Sequence, residues 1–518
     1  MKKYPVGIQD FERLIEGQFV YVDKTREIYD LISRGNYYFL SRPRRFGKSL
    51  LLSTIKYLFA GEKDLFRGLW IEKRHSWEKH PVLHLSFSGI GYKNIGLERA
   101  LLQELDIYAR QKGFTFETEG LAPRFKELMG FIGGGAHKLV LLIDEYDKPL
   151  VDFIDDPEQA EVNRNILRTF FSAIKDSDPF IRFFLITGVS KFSKVSLFSD
   201  LNHLEDITLA PYAATVAGYT QDELEHYFSE ELNTLAALEG ITTAAIQEKV
   251  KHWYNGYRWG REERIYNPFS ILNLVKQQRF ENFWWDTGTP TFLIKKLREN
   301  FQYHLDMLEA SSTMFESFTL DNMDWLPLLF QTGYVTIKSY DPELRLYTLG
   351  FPNLEVKDSM QQHLLAAYRE TSNTSSYPVM VNIKRTLDKK DMEGFISQVD
   401  ILFSTIPYQI FLEKQEAFFH AILHITFVGL GLITQAEVST AKGRVDSVVF
   451  TPQYIYLMEF KLDAPVSEAM EQIRLRQYGT SYIGDGREVF AVGISFSSAE
   501  KCVKSWEIKP YLKLLEEA

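Results

Sequence analysis

A single cysteine, Cys502, is all the thiol chemistry available to this chain of 518 residues. That excludes an internal disulfide framework and fits a reducing compartment, so the expected location is cytoplasmic. A basic excess is also missing. There are 59 Lys and Arg against 69 Asp and Glu, a formal net charge of −10. This argues against a broad non-specific nucleic-acid surface, though not against a local site. No apolar core follows the first lysines of Met1-Lys-Lys-Tyr-Pro-Val-Gly-Ile-Gln-Asp10, so no signal peptide is expected. One uncharged stretch, 417–436, imitates a membrane span but carries His420, His424, Gly429, Gly431 and Gln435. Apolar spans rarely hold that many polar groups, and a buried helix running into a turn and a strand is expected instead, with no membrane partner. Internal repeats and low-complexity tracts are absent from the sequence.

Apolar residues make up 45% of the chain, enough for several cores, and the length suggests about three domains. Residues 1–214 alternate strand and helix patterns, the signature of an α/β domain. Strands are expected at Tyr37–Leu40, Val82–Phe87, Leu139–Ile143 and Ile181–Thr187, with a helix over Leu97–Gln111 among those between them. From about 215 to 370 the pattern is helical. Thr220-Gln-Asp-Glu223 reads as a capping box, and Asn267-Pro268 as an N-cap followed by proline at the first helical position. Two alternating runs around Asp341-Pro342 predict a hairpin, and a helix followed by a hairpin suggests a winged-helix-like segment. The polar cluster Thr371-Ser-Asn-Thr-Ser-Ser-Tyr-Pro378 reads as a linker, and 371–518 completes the chain with a last segment of helices and strands.

The stretch Ser41-Arg-Pro-Arg-Arg-Phe-Gly-Lys-Ser49 lies between an apolar strand pattern and a helical one. That is the setting of a phosphate-binding loop, whose backbone N–H groups and helix dipole favour anionic oxygens. Lys48 would reach the β/γ-phosphates and Ser49 would hold Mg²⁺. The usual motif begins with a glycine, and here that position is Arg42. Phe46 and Gly47 complete the expected cradle, and Arg44 and Arg45 either contact phosphates there or are simply solvated, which the spacing does not decide. Lys138-Leu-Val-Leu-Leu-Ile-Asp144-Glu145 supplies the acids: Asp144 for the Mg²⁺ shell, Glu145 to polarise an attacking water. Thr187 and Ser190, after the fourth strand pattern, are placed to sense a γ-phosphate, or to bond nearby backbone. Arg258 is a candidate arginine finger.

A second constellation lies downstream. Asp446 begins one strand pattern, Thr451-Pro-Gln-Tyr454 turns the chain, and Glu459 and Lys461 share a face of the return strand. A turn centred on Pro452-Gln453 sets Asp446 opposite Glu459, close enough for both to hold one Mg²⁺. Such a metal activates water against a phosphodiester, and Lys461 can orient that water or balance developing charge. Glu416 on the preceding helix could extend the shell. Gln472 could add a polar contact, and Arg474 and Arg476 could reach phosphates. Against this, Glu-x-Lys is common by chance, and residues 396–518 hold 11 Lys and Arg against 15 Asp and Glu. Glu416, His420 and His424 also share a helical face, which raises a zinc alternative, but Ala421 stands where a zincin needs glutamate.

The segments Tyr21-Val-Asp-Lys-Thr25, Ser41–Ser49, Ile143-Asp-Glu-Tyr-Asp147, Thr187-Gly-Val-Ser190, Tyr254-Asn-Gly-Tyr257, Tyr266-Asn-Pro-Phe-Ser270, Gly443-Arg-Val-Asp446 and Glu459-Phe-Lys461 together resemble a bacterial family. Its members join an AAA-ATPase-like N-terminal domain to a C-terminal PD-(D/E)XK nuclease-superfamily domain, and the resemblance covers nearly the whole chain. It implies a P-loop NTPase-type α/β sheet domain, a helical lid with the winged-helix-like segment, and a C-terminal α/β nuclease-like domain. ATP and Mg²⁺ are the implied cofactors and DNA the implied partner, with RNA left open. The arginine-rich loop lacking its first glycine is a trait of that family. Glu416, Asp446, Glu459 and Lys461 match the acidic and lysine positions of the superfamily. A homo-oligomer remains open, as AAA-like sites often lie between subunits. So does an alternative function, a nucleotide-switched regulator that binds nucleic acid or protein through an inactive nuclease-like domain.

Overall fold

Four short, almost wholly apolar runs form the centre of the first part of the chain. In a computed structural model they are β1 (Tyr37–Ser41), β2 (Val82–Ser86), β3 (Leu139–Asp144) and β4 (Ile181–Gly188). The structure describes residues 2–191, 197–198, 201, 203–260, 262–284, 291–299, 305–315, 325–369, 377–404, 416–430, 432–440 and 443–517. The expected linker around 371–376 lies outside them. Two compact units result, 1–292 with 306–357, and 293–305 with 358–518.

In the first unit the sheet order is β2-β3-β4-β1 followed by a fifth strand, β5 (Glu205–Asp206), and every pairing is parallel. Parallel sheets are covered by helices on both faces, which is why β1 and β3 are buried along their whole length. The fifth strand, β5, is only Glu205–Asp206 and carries no apolar pattern that could have announced it. Tyr38, Leu40, Val140, Leu142, Phe183 and Leu185 pack one face against Leu52 and Ile55 of the helix Lys48–Phe59.

The helix Leu97–Gln111 has the expected bounds. The capping box is present, Thr220 accepting from the Glu223 N–H and Glu223 from the Thr220 N–H. Asn267 caps the helix Pro268–Gln277 through the Phe269 N–H. These helices form their own core around Leu224, Phe228, Val250, Tyr254, Ile271 and Leu274. The hairpin is β7 (Thr336–Asp341) and β8 (Leu346–Gly350); a third strand, β6 (Leu308–Ser311), joins β8 on its other side.

The second unit carries the sheet β13-β12-β11-β10-β9: β9 (Ile433–Thr440), β10 (Gly443–Phe450), β11 (Tyr454–Leu462), β12 (Glu488–Phe496) and β13 (Val503–Pro510). Strands β9, β10 and β11 are antiparallel neighbours, whereas β11 and β12 are parallel. A parallel pair needs a crossover, supplied by the helix Val466–Arg476. Met470 and Ile473 of that helix pack on Val448, Leu457 and Ala491. The uncharged stretch resolves into the helix Glu416–Gly429 followed by β9. No helix among the described residues is long and apolar enough to cross a membrane.

Candidate active sites

Because the first sheet is parallel, the loops after its strands gather at one edge. The loop after β1 enters the helix Lys48–Phe59 through Gly47, at φ 87°, and Arg45 is also left-handed at φ 67°. Alternating handedness of this kind turns successive N–H groups inward as an anion-binding nest. Gly47 is needed for its conformation, and a Cβ there would meet open space. Lys48 is buried, and its ammonium donates to the Arg42 and Pro43 carbonyl oxygens at 2.8 and 2.9 Å, closing the loop around itself. Burial pushes its pKa down, against the opposing pull of Asp144, Glu145 and Asp147. Ser49 lies in the first helical turn, half-buried.

Arg42 does not line this cradle. Its side chain turns into the protein and is fully buried, donating to the carbonyls of Ser41 (2.8 Å), Thr208 (2.8 Å) and Ala213 (3.0 Å) and stacking 4.5 Å from the Trp259 ring. Burial pushes the guanidinium down to about 9. The missing glycine is therefore replaced by a structural strut. Arg42→Ala should strand three carbonyls and open a cavity, destabilising the first unit by about 2–4 kcal/mol. Urea denaturation followed by tryptophan fluorescence would read this, and an unchanged first transition would refute the strut.

Phe46 also departs from expectation. Its ring is buried edge-on against Tyr257 (4.8 Å) and Trp259 (5.1 Å), so only its backbone faces the loop. Arg44 is exposed, and its carbonyl accepts from Trp284 Nε1 and Asn267 Nδ2. The Arg45 guanidinium lies over Phe269. The segments Tyr254–Tyr257 and Tyr266–Ser270 thus serve to hold the arginine-rich loop.

Asp144, at the end of β3, is buried and accepts from the Thr187 hydroxyl at 2.6 Å. Thr187 is thereby an orienter of that carboxylate. Ser190 is likewise engaged: its N–H and hydroxyl both donate to Asp147 at 2.7 Å, so it is not poised toward a γ-phosphate. Asp147, not singled out from the sequence, clasps the 189–190 turn. Glu145 is half-buried with φ 54°, a strained backbone for a residue with a Cβ. Arg258 is not presented as a finger, since it donates to the Lys338 and Gly260 carbonyls of its own unit.

In the second unit the β10–β11 register pairs Ser447 with Met458 and Phe450 with Ile455, and Thr451 and Tyr454 close the turn as expected. Continuing it sets Asp446 opposite Glu459. There the Asp446 Oδ2 reaches across to accept the Phe460 N–H at 2.8 Å. Glu459 is 1% exposed; its Oε1 accepts from Lys461 at 3.1 Å, while its buried Oε2 has no hydrogen-bond partner among the described residues. Burial first, then the Asp446 charge, pushes the Glu459 carboxyl up to about 7, against Lys461. A buried carboxylate oxygen left open beside a second carboxylate fits a hard divalent cation.

Lys461 also donates to Gln472 Oε1 at 2.9 Å, and Gln472 to the Tyr478 hydroxyl at 3.2 Å. His420 joins this group, its Nε2 3.6 Å from Asp446 Oδ2 and its ring against Phe460. Its ring therefore faces the strand that carries Asp446, while the zinc alternative includes Glu416, whose side chain is not among the described residues. Beside Lys461 an open cleft of about 830 Å³ is lined by Gln472, Tyr478 and Arg476, but also by Glu468 and Glu471. Arg474 is held by Glu471 and is not turned to a backbone phosphate.

Comparison with known proteins finds a family match at each end of the chain. Residues 5–198 match the family described as predicted AAA-ATPase, and residues 414–506 match the PD-(D/E)XK nuclease superfamily. An "uncharacterized protein in vnfD 5'region" of Azotobacter chroococcum mcd 1 is 36% identical over 98% of this chain and 99% of its own length. The chain belongs to the family that joins these two domains. The Aeropyrum pernix ORC1 protein, solved in complex with DNA, aligns with 68% of this AAA-ATPase-like nuclease-superfamily chain and 96% of its own, at 12% identity and a TM-score of 0.26. At that score nothing about ligands follows for this family member.

Proposed function

We propose that this protein is an ATP-regulated, Mg²⁺-dependent nuclease that cleaves DNA phosphodiesters. The observation that carries the reading is Glu459: a buried carboxylate with an open oxygen, beside Asp446 and in contact with Lys461. Asp446 and Glu459 would hold Mg²⁺, which when bound supplies an activated water and charge neutralisation at the scissile phosphate. Gln472 and Tyr478 would fix the Lys461 ammonium where charge develops. In the first unit Lys48, Ser49 and the loop N–H groups would hold the triphosphate, Asp144 its metal, and Glu145 the attacking water.

The test is cleavage of plasmid, linear and single-stranded DNA with Mg²⁺ or Mn²⁺, with and without ATP. Wild type should cut, Asp446→Ala and Lys461→Ala should fall to background, and Lys48→Ala should lose only the ATP effect. Cleavage untouched in Asp446→Ala would refute the reading. A second reading, a nucleotide-switched binding protein with an inactive nuclease-like domain, draws on Glu468 and Glu471 in the cleft, which repel a phosphate backbone. It requires nucleotide-dependent binding of DNA or protein without cleavage under any metal.

A further inference from the structure

The edge of the first sheet opposite the phosphate loop carries a group of side chains that neither site uses. Glu78 and His80 precede β2, and His137 precedes β3, so both segments arrive at the amino-terminal ends of neighbouring parallel strands. Each of the three residues offers one ligand atom within 4.8 Å of the others. His137 Nδ1 is 3.0 Å from Glu78 Oε1, and His80 Nε2 is 3.8 Å from Glu78 Oε2.

The decisive contact is on the far side of His80. Its Nδ1 is 3.0 Å from the carbonyl oxygen of Lys138. A carbonyl only accepts, so Nδ1 carries the proton and, in the neutral ring, Nε2 carries the lone pair. That lone pair faces a carboxylate oxygen, which is also an acceptor. Two acceptors turned toward each other call for an electrophile between them, either a second proton on the imidazole or a metal ion. The backbone carbonyl behind the imidazole is the outer-shell partner that metal-ligating histidines use to fix ring and tautomer. The residue is further held by burial, its side chain being 10% exposed, by its backbone N–H donating to the Phe59 carbonyl at 2.7 Å, and by edge-on packing of its ring on Phe59.

We propose that Glu78, His80 and His137 form a site for a divalent cation of the zinc class, distinct from both Mg²⁺ sites. Two imidazoles and one carboxylate suit zinc and its borderline neighbours, whereas Mg²⁺ prefers oxygen ligands only. Glu78 and His137 are 54% and 44% exposed, which leaves water access to a fourth position. The site staples the segment entering β2, an edge strand with one neighbour, to the segment entering β3.

The experiment uses the untagged full chain, stripped with chelator and held in excess Mg²⁺ to fill the oxygen sites. It is titrated with ZnCl₂ by calorimetry and with CoCl₂ by visible absorption. One tight equivalent is expected, with a tetrahedral or five-coordinate cobalt spectrum, and zinc should raise the melting temperature. Glu78→Gln and His137→Ala change exposed side chains, so the fold should survive. Each should weaken zinc binding about tenfold or more and abolish the thermal shift, while Asp446→Ala should keep both. No equivalent above the Mg²⁺ background, an equivalent retained in both variants, or one lost in Asp446→Ala would each overturn the proposal.

Discussion

Glu145→Gln is expected to bind ATP normally and to lose turnover by about 10²–10⁴-fold, the usual worth of a positioned general base. Three acids stand at the end of β3, and the structure separates their work. Asp144 is buried and oriented by Thr187, the setting of a metal-shell ligand. Asp147 is committed to the 189–190 turn through the Val189 and Ser190 N–H groups and the Ser190 hydroxyl. Glu145 lies between them in sequence, half-buried, with its backbone forced to positive φ. A strained backbone costs about 1–3 kcal/mol and persists where something over-determines it, commonly at a functional site. Binding of a fluorescent ATP analogue and phosphate release, measured side by side, check the prediction. Unimpaired release would remove Glu145 as the base. Asp147→Asn should instead lower both together, because it loosens the 189–190 turn that directly follows Thr187 at the end of β4.

The fold was readable where physics leaves a local trace. Apolar runs announced the four main strands, the capping box and the Asn-Pro pair announced helix starts, and the turn at Pro452-Gln453 set the β10–β11 register. The elements that escaped have no such trace. Strand β5 is two acids, recruited because Tyr38 and Phe39 of β1 offer it open backbone groups. Arg42 and Phe46 read as loop residues in a phosphate motif. Their inward turn depends on Trp259, Thr208 and Ala213, residues far away in sequence. The contact of His420 with Asp446 was half visible, since helical spacing gave its face but not its partner. The Glu78, His80 and His137 group was invisible, because its members meet only once β2 and β3 are adjacent.

Glu459→Gln should cost the proposed nuclease function and yet stabilise the metal-free protein above neutral pH. Burial and the Asp446 charge hold the Glu459 carboxyl at about 7 in the fold, above its ordinary value of 4.5. The folded chain therefore binds the proton more tightly than the unfolded one. The resulting stabilisation is complete below about pH 4.5 and is lost as pH rises through 7, where the ionised group sits in a site built against it. The difference is on the order of 3 kcal/mol. Glutamine keeps the shape without the charge, so the variant should match wild type at about pH 4 and exceed it at about pH 8. Lys461 retains Gln472 as a partner in either case. Hydrogen exchange of the β10 and β11 amides would localise the effect to this sheet. Added Mg²⁺ should reverse the order at pH 8, because only the wild type has a second carboxylate to offer it. A variant less stable than wild type at pH 8 without metal would mean that Lys461 already neutralises Glu459. The second unit would then hold a settled ion pair, and its acids would not be poised for a cation.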